Sequence, residues 1–406
     1  MSFMQRLIGS RGGGAAQTDP NSRPQDTSLG LMHLRKLFTE FKHPATEYTQ
    51  KDQEEKLYKM LPIFCKIFGN VPANSMQEKF SDILQFCSHV SKLMVTEVRR
   101  RASNQSTEEA SCAIVKFLEI ESTEESSAGW MLLTSINLLS VGTQALIDCM
   151  TAASLPSTLV KCLYLFFDLP ELVNAEALEE GCEFTPQERR VLLQKVFVQV
   201  LVRLCNQPSP AEELARKDDL SLLFSAITSW CPTHNVVWRT SAGEVLVTLS
   251  RHGLTNSVTK YIHDKGCVRH CVENMQRAQD LSPLDLVEMF VTVFCFLKDS
   301  SEVSHVLLDD FKSCQGYTYL SEFILRLELD VSEESVQALR NLVLLVGSLT
   351  TCGYAEIKPS TAATGSIYQI PGFTLPQPAG KGEHNWCTLS VLRDHVFIVC
   401  KHPCNV

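Results

Sequence analysis

Residues 185–230 constrain the fold of this chain more than any other stretch. They open with a hydroxyl N-cap, a proline at the first helical position and a carboxylate three residues after the cap, which together form a capping box: Thr185-Pro186-Gln187-Glu188. The run 191–205 that follows is apolar except for one narrow stripe, made by Gln194, Lys195, Gln199 and Arg203. A helix with so little polar surface must contact neighbours on both flanks.

A second helical start signal follows at once, as Ser209-Pro210-Ala211-Glu212. After Asp219, five apolar residues recur at helical spacing: Leu220, Leu223, Phe224, Ile227 and Trp230. Two antiparallel helices with a short join, one of them nearly buried, are the repeating unit of an α-solenoid. The pattern predicts an all-α fold, an armadillo/HEAT-like α-solenoid of stacked antiparallel helix pairs.

The same start signals recur along the chain and give the fold its predicted period. Openings near Thr185, Trp238, Ser282 and Ser332 lie about 50 residues apart, slightly over the length of HEAT and armadillo units. Two earlier helix starts are predicted from capping pairs, at Thr49 with Asp52 and at Ser75 with Glu78.

Composition changes at both ends of the helical pattern and sets four predicted segments. Residues 1–27 are rich in Gly, Ser and Pro and are predicted to be disordered, and the solenoid then covers 28–358. Residues 359–382 form a Pro/Gly-rich linker, and 383–406 form a divergent tail that we predict to be disordered.

Overall composition indicates a soluble, folded chain. Apolar residues make up 44% and charged residues 20% of the 406 residues, and the net charge of −9 offers nucleic acid no global attraction. The 16 cysteines are scattered through apolar helical runs, where free thiols behave as small hydrophobes, and this favours the reducing cytosol. Residues 1–14 lack the apolar core of a signal peptide, and no window reaches the roughly 18–20 apolar residues of a membrane span.

The sequence contains two groups of potential metal ligands, and neither predicts a metal site. On a helix predicted over 256–275, three residues share one face at i, i+4 and i+7 and a fourth lies nearby: His263, Cys267, His270 and Cys271. Four ligands from one helix cannot surround a metal tetrahedrally. Near the carboxyl end, five residues come closer to zinc-ligand spacing but lack any C-x2-C pair: His384, Cys387, Cys400, His402 and Cys404. We therefore expect no metal and no cofactor.

No catalytic constellation is visible in the sequence. The motifs G-x-S-x-G, H-E-x-x-H and G-x-G-x-x-G after a strand are missing, and 372–381 ends in Gly-Lys without phosphate-loop spacing. Glu333 and Glu334 lie at a helix start, where they stabilise the helix dipole. We predict that the chain is not an enzyme and has no catalytic residues.

One basic cluster and three tryptophans remain as candidate binding residues. Arg99, Arg100 and Arg101 are expected at a helix C-terminus, where they complement the dipole, with phosphate, lipid or importin binding as the alternative. The tryptophans fall at helix ends and are predicted to be core anchors rather than binding hot spots: Trp130, Trp230 and Trp238.

Several long, collinear blocks resemble the amino-terminal region of the autophagy-linked FYVE proteins of the BEACH and WD-repeat family. They are 29–35, 55–62, 78–82, 93–103, 156–170, 209–232, 241–254, 281–290 and 371–382. The resemblance covers roughly 25–382, with the chain departing from the family at 383–406, as a truncated isoform end or a partial gene model would. Which member of the family the chain represents stays open.

The resemblance implies a large scaffold of selective autophagy that links ubiquitin-positive protein aggregates to autophagosomal membranes. The BEACH, WD-repeat and FYVE modules of the family lie far toward the carboxyl end, so their contacts with autophagy machinery and aggregates transfer to no residue here. This segment would bind other proteins through an extended helical surface, and it would not bind nucleic acid. The alternative is a peripheral membrane or lipid-associated trafficking module, weakly bound to membranes through 1–11 and 99–101. We expect a cytoplasmic protein that reaches autophagic membranes, and the resemblance allows a nuclear pool.

Overall fold

The computed structural model describes residues 24–349, except 44–48, 70, 104, 122–126, 179–181, 279–280, 302 and 331. Every regular element in these ranges is helical, and the first helix begins at Pro24, ahead of the predicted start at residue 28. The predicted linker 359–382, the tail 383–406 and the five candidate ligands near the carboxyl end lie outside the described residues.

The chain divides into two compact units. The first comprises the residues up to Lys217 together with Thr233–Trp238, and the second comprises Asp218–Pro232 together with the residues from Arg239 onward.

The first unit is built from layers of three helices. Its helices are α1 Pro24–Lys42, α2 Gln50–Phe68, α3 Met76–Lys79, α4 Ile83–Ala102, α5 Thr107–Leu118, α6 Ala128–Leu139, α7 Gln144–Ala152, α8 Leu155–Leu165, α9 Pro186–Cys205 and α10 Pro208–Arg216. Helices α4, α5 and α6 form one layer, on which α7, α8 and α9 pack in the same order. Helix α2 packs on α6, and α10 packs on α7.

The second unit repeats this arrangement. Its helices are α11 Leu220–Thr228, α12 Val236–Thr248 from Arg239 on, continued by a π-helical turn Leu249–Gly253, α13 Asn256–Asp264, α14 Cys267–Arg277, α15 Pro283–Ser300, α16 Val306–Ser313, α17 Gly316–Leu329 and α18 Glu333–Leu349. Helices α16, α17 and α18 pack on α13, α14 and α15 respectively, and α14 packs on α11. The predicted all-α fold of stacked helices is confirmed, with each layer adding a third helix to the predicted pair.

Hydrogen bonds between equivalent helices give the length of the repeat in the second unit. Asn274 Nδ2 donates to Thr228 Oγ1, 46 residues away. Tyr319 OH donates to the carbonyl of Met275, 44 residues away. Both spacings match armadillo and HEAT units.

The first unit has longer repeats. Arg203 on α9 donates to the Asn137 side chain on α6, 66 residues away. The extra length lies in the segments between the second and third helices, 119–127 and 166–185. The predicted spacing of about 50 residues therefore describes the second unit. The four sequence signals from which it was derived lie at the starts of α9, α12, α15 and α18, each of which is the third helix of its layer.

Most predicted helix starts are confirmed, but the predicted capping roles of Ser75 and Ser209 are wrong. Complete capping boxes form at Thr49 and Thr185, and Ser282 accepts from the Asp285 N–H. Ser75 does lie at the N-cap position of the short helix α3, but its side chain accepts no capping hydrogen bond; its hydroxyl donates to the Pro72 carbonyl, and the long helix begins later, at Ile83.

Ser209 also fails as a cap, because α10 already begins at Pro208. The fixed φ of proline suits the first helical position, so the earlier of the two prolines sets the helix start. Ser209 lies inside the helix, where its hydroxyl donates to Asp148 Oδ1 of α7.

Aromatic side chains fill the core of each unit. In the first, Phe38 contacts Phe80 and Phe86 edge-to-face, and Trp238 packs on Phe166 with ring centroids 4.7 Å apart. In the second, Phe290 stacks with three rings at centroid distances of 5.5 Å: Phe294, Tyr319 and Phe323. Buried rings bring large apolar areas and specific geometry, so they stabilise each layer against the next.

Two apolar helices of the first unit, α6 and α8, are largely buried. Helix α8 is buried along most of its length, although Lys161 and Tyr164 are exposed. Among the described residues no single helix has the length and apolarity to cross a membrane. Helix α7 and the segment 155–168 together reach that length and apolarity, but they are bent by 68° relative to each other.

Replacing Gly129 by alanine is expected to destabilise the first unit by about 1–3 kcal/mol or more. A Cβ at Gly129 would lie 1.8 Å from the Phe117 carbonyl oxygen, so α6 would have to move away from α5. Urea denaturation of the Gly129→Ala variant measures the loss. Gly30→Ala is the matched control, because its Cβ would meet Ile67 at an ordinary 3.4 Å. It should be neutral or stabilising by up to about 1 kcal/mol, and equal loss in both variants would contradict the close approach.

The first unit should lose stability in mild acid through His89. Its ring packs edge-to-face on Phe41, and burial, followed by the charge of Lys92, lowers the pKa of His89 below its ordinary 6.5. Since the folded-state pKa is the lower one, the stabilisation is complete above about pH 6.5 and is lost as the pH falls toward the folded-state pKa.

Urea midpoints of the wild-type chain and His89→Gln at about pH 7.5 and about pH 5.5 test this linkage. The wild-type midpoint should fall further than that of the variant over this interval. An identical fall in both would show that other groups carry the pH dependence.

Candidate functional site

A pocket in the first unit lies between α4, α8 and the end of α10. It has a volume of about 240 Å³. Its wall is largely apolar: Val95, Val98, Ala102, Cys162 and Leu165. Three hydroxyl groups from the start of α8 also line it, those of Ser154, Ser157 and Thr158.

Three cations line this pocket. Arg99 lies in the last turn of α4, Lys161 in α8, and Lys217 directly after α10. No lining residue carries a carboxylate. A cleft with charges of one sign and apolar walls concentrates their field. The charged residues in its lining thus have the opposite sign to the net charge of the chain, which is −9.

Glu213 lies behind the pocket and holds two of its walls together. It is 1% exposed, and its Oε2 accepts from the Ser157 N–H at 3.1 Å. Its Oε1 lies 2.9 Å from Lys217 Nζ. The carboxylate thus joins the start of α8 to the end of α10. It also offsets the charge of Lys217, one of the three cations that line the pocket.

The thiols near the pocket are unsuited to nucleophilic chemistry. Burial raises the pKa of Cys162 to about 12. Burial, with the charge of Glu213 adding to it, raises the pKa of Cys205 to about 12. A neutral thiol is a poor nucleophile. All twelve described cysteines are free, in keeping with their predicted role as small hydrophobes.

The predicted arginine cluster does not form one patch. Arg100 Nη1 donates to Glu97 Oε1 at 2.7 Å and its Nη2 donates to Glu54, while Arg101 pairs with Glu97 and lies over the Phe117 ring. The side chain of Arg99 forms no ion pair with any described residue and faces the pocket instead. The expected position at a helix C-terminus is confirmed, since α4 ends at Ala102.

The helix predicted over 256–275 is broken, so the first group of ligand candidates does not share a face. Helix α13 ends at Asp264 and α14 begins at Cys267, because Gly266 adopts a left-handed φ of 62°. His263 Nδ1 lies 2.8 Å from Asp310 Oδ1, and both Cys267 and Cys271 are buried. Within the described ranges no group of three potential ligands surrounds a metal-sized space.

Two of the three tryptophans are core anchors, as predicted, and one is not. Trp130 and Trp238 are buried, whereas Trp230 is 67% exposed. The prediction for Trp230 extended the helical spacing beyond Thr228, where α11 ends. Its side chain is thereby freed from the buried face that Leu223 and Phe224 occupy.

The residue after Trp230, Cys231, lies near a polar cluster in the second unit. Arg239 is 3% exposed and donates from Nη2 to Asp285 Oδ1 at 2.5 Å and to Glu288 Oε2 at 3.4 Å. The charges of Arg239, Asp285 and Glu288 act on the buried Cys231 thiol, which directly follows Trp230 in the chain, and the exposed Leu284 directly precedes Asp285. An exposed indole beside rigid charged groups is typical of protein interfaces. We call Trp230 and Leu284 the tryptophan surface.

The role of Glu213 can be separated into its charge and its acceptor oxygen. Glu213→Gln keeps the oxygen facing the Ser157 N–H and loses only the attraction to Lys217. Glu213→Ala loses both and should destabilise the first unit by about 1–3 kcal/mol more than Glu213→Gln. Thermal unfolding of the two variants measures the difference, and equal melting temperatures would show that the backbone hydrogen bond adds nothing.

The comparisons with known proteins identify relatives but no family model, since none matches the chain. The chain is 28% identical over 334 residues to WD repeat- and FYVE domain-containing protein 4 of Mus musculus, an alignment that covers 81% of the chain. It is 27% identical over 347 residues to the Homo sapiens protein of the same name, covering 85% of the chain. The aligned region is 10% of each relative's length, so the chain spans about a tenth of these proteins.

Several solved structures share a likeness with the chain at low identity. The designed armadillo repeat protein YIII(Dq)4CqI aligns with 77% of this chain and 99% of its own, at a TM-score of 0.34 and 12% identity. A designed armadillo repeat protein in complex with peptide (KR)4 aligns with 71% of this chain and 98% of its own, at a TM-score of 0.33 and 14% identity.

Proposed function

Because this chain is a relative of the WD repeat- and FYVE domain-containing proteins, we propose that it is the helical scaffold segment of a selective-autophagy adaptor. The adaptor would link ubiquitin-positive protein aggregates to autophagosomal membranes. This segment would contribute surfaces that bind proteins and would catalyse no reaction.

The exposed Trp230 beside the fixed Arg239–Asp285 pair is the observation that carries a protein-binding role. Trp and Arg are enriched among residues that dominate interface energies, chiefly because a large side chain can be desolvated in one rigid position. Arg239 is already held by two carboxylates of α15, so the surroundings of Trp230 need little ordering when a partner binds.

The chemistry of the described residues supports a scaffold rather than an enzyme. Burial raises the pKa of thiols in both units, to about 12 for Cys162 and Cys267. Carboxylates such as Asp52, Glu109 and Glu188 serve as helix caps. These groups stabilise helices and layers, which is the chemistry of a repeat protein.

The lipid-binding alternative is less well supported by the geometry. Of the three arginines considered for it, Arg100 and Arg101 are paired with Glu54 and Glu97. The residues 1–11 that it also needs lie outside the described part of the chain. We therefore propose a cytoplasmic protein that meets autophagic membranes through partner proteins.

Recruitment in cells tests the adaptor role. The family's own contacts with aggregates lie in modules outside this chain, so recruitment would depend on partner proteins bound to its helical surface. Through them, the tagged 406-residue chain should accumulate at ubiquitin-positive aggregates formed under proteasome inhibition, together with autophagosomal markers. Trp230→Ser should reduce this accumulation several-fold. Quantitative microscopy against the ubiquitin signal provides the measurement.

The control is Leu329→Ser, which removes another exposed apolar side chain of the second unit, at the end of α17. It should leave recruitment unchanged. Equal loss in both variants would contradict a specific role of the tryptophan surface, and diffuse distribution of the wild-type chain would contradict the adaptor role itself.

A further inference from the structure

We propose that the third helices of the second unit, together with Trp230, bind a basic peptide segment of a partner protein. Arginine side chains of the peptide would pair with Glu244 of α12 and Glu288 of α15, and one of them would lie over the exposed indole of Trp230. The proposal deepens the proposed scaffold function by naming the chemistry of a partner, and it rests on that function only for its biological setting.

Charge complementarity is the first argument. Across 239–250 and 283–297, the facing parts of α12 and α15, the sequence has three carboxylates and one cation, a surplus of 3 − 1 = 2 negative charges. The cation, Arg239, is buried and already pairs with Asp285 and Glu288. The third carboxylate, Glu244, is exposed and forms no ion pair with any described residue. A cation is thus the group that these helices favour.

The carboxylates lie side by side because α12 and α15 are aligned along their length. Thr240 Oγ1 donates to Glu288 Oε1 at 2.6 Å, and Arg251 Nε donates to Asp299 Oδ2 at 2.6 Å. Glu244 follows Thr240 by four residues and so lies on the same face, one turn further along α12. Glu288 keeps 37% of its side chain exposed while its position is fixed, so little ordering is needed when a peptide binds.

Helix α18 brings further negative charge to this surface. It packs on α15, and its first turn carries two exposed carboxylates, Glu333 and Glu334. Packed helices lie about 8–10 Å apart, a distance that about three residues of an extended chain can span. A peptide that crosses the third helices would therefore present a side chain to each helix at about every third residue.

Trp230 supplies an aromatic contact for one of the arginines. Its side chain is 67% exposed, and the next residue, Cys231, lies close enough to Asp285 and Glu288 for their charges to act on its thiol. The face of an indole attracts a guanidinium that lies within about 6 Å of the ring centroid. Arginine combines this stacking with two parallel hydrogen bonds to a carboxylate, so it suits the surface better than lysine.

Other charged ligands fit this surface less well. Nucleic acid and anionic lipid headgroups carry the same sign of charge as Glu244 and Glu288 and would be repelled. The carboxylates are spread over separate helices, and in the part of the chain that the structure describes no three potential ligands surround a metal-sized space. A peptide can meet such separated carboxylates one at a time, because each of its cations has a long stem of its own.

Fluorescence anisotropy with the purified 406-residue chain tests the proposal. The probe is a labelled peptide with arginine at every third position and serine between. It should bind the wild-type chain with an affinity that falls as sodium chloride rises from about 0.05 to about 0.5 M, since ionic contacts are screened. A counterpart with citrulline for every arginine keeps the shape without the charge and should bind at least about tenfold more weakly.

Glu244→Lys should weaken binding of the arginine peptide by about fivefold or more. Glu322→Lys is the matched control, because Glu322 is also an exposed carboxylate of the second unit but lies on α17, outside the third helices. It makes the same change in net charge and should leave the affinity within about twofold of wild type.

Trp230→Ser should weaken binding of the peptide by about tenfold. Leu329→Ser, which removes an exposed apolar side chain of α17, should not weaken it. Circular dichroism confirms that each variant is folded.

Three results would overturn the proposal. They are equal affinity for the arginine and citrulline peptides, equal loss in Glu244→Lys and Glu322→Lys, and an unchanged affinity in Trp230→Ser. Recruitment to aggregates is measured separately, in cells. A recruited chain that binds no arginine peptide would end this proposal alone, and a chain that binds the peptide but stays diffuse in cells would end the adaptor role alone.

Discussion

The stability of each unit depends on burying both flanks of the third helix in each layer. Helix α9 contacts α6, α8 and α10, and α15 contacts α14, α18 and the π-helical turn after α12. Residues such as Phe197 and Phe290 are therefore enclosed on more than one side. Burial at roughly 25 cal/mol per Å² of apolar area can offset chain entropy only when neighbouring layers are present. A single layer would leave one of these flanks in water.

The sequence predicts these third helices well, because their signals are local. A hydroxyl cap, a proline and a carboxylate act within one turn, so Thr185 and Ser282 mark helix starts without knowledge of the fold. Predictions failed where tertiary contacts or backbone geometry decide. The Ser209 hydroxyl donates to Asp148 Oδ1 of α7 instead of capping a helix. The left-handed backbone of Gly266 divides one predicted helix into two. Trp230 was predicted to lie in the core, but the helix that would place it there ends at Thr228.

The candidate pocket could not be predicted in this way. Its cations are separated by 161 − 99 = 62 and 217 − 161 = 56 residues, and no local motif relates them. Only the packing of α7 and α8 on α4 and α5, and of α10 on both α7 and α8, brings them together. The alignment of these helices cannot be predicted from a regular repeat length either. The segments 119–127 and 166–185 make the repeats of the first unit longer than those of the second. Arg99 was visible in the sequence, but as one of three equivalent arginines.

The distribution of charge separates the acidic groups from the pocket. Several carboxylates lie between helices and join them: Glu97 holds Arg100 and Arg101, Glu213 holds Ser157 and Lys217, and Asp285 holds Arg239. Groups used in this way are partly or fully desolvated, and truncating one would leave its partner buried with an uncompensated charge or donor. They are therefore fixed by the fold, and of the three only Glu213 contacts a cation of the pocket lining, Lys217. The same packing that holds the layers together leaves Arg99 and Lys161 facing a cavity without a carboxylate in its lining, even though acidic residues outnumber basic ones by 46 to 37 along the chain.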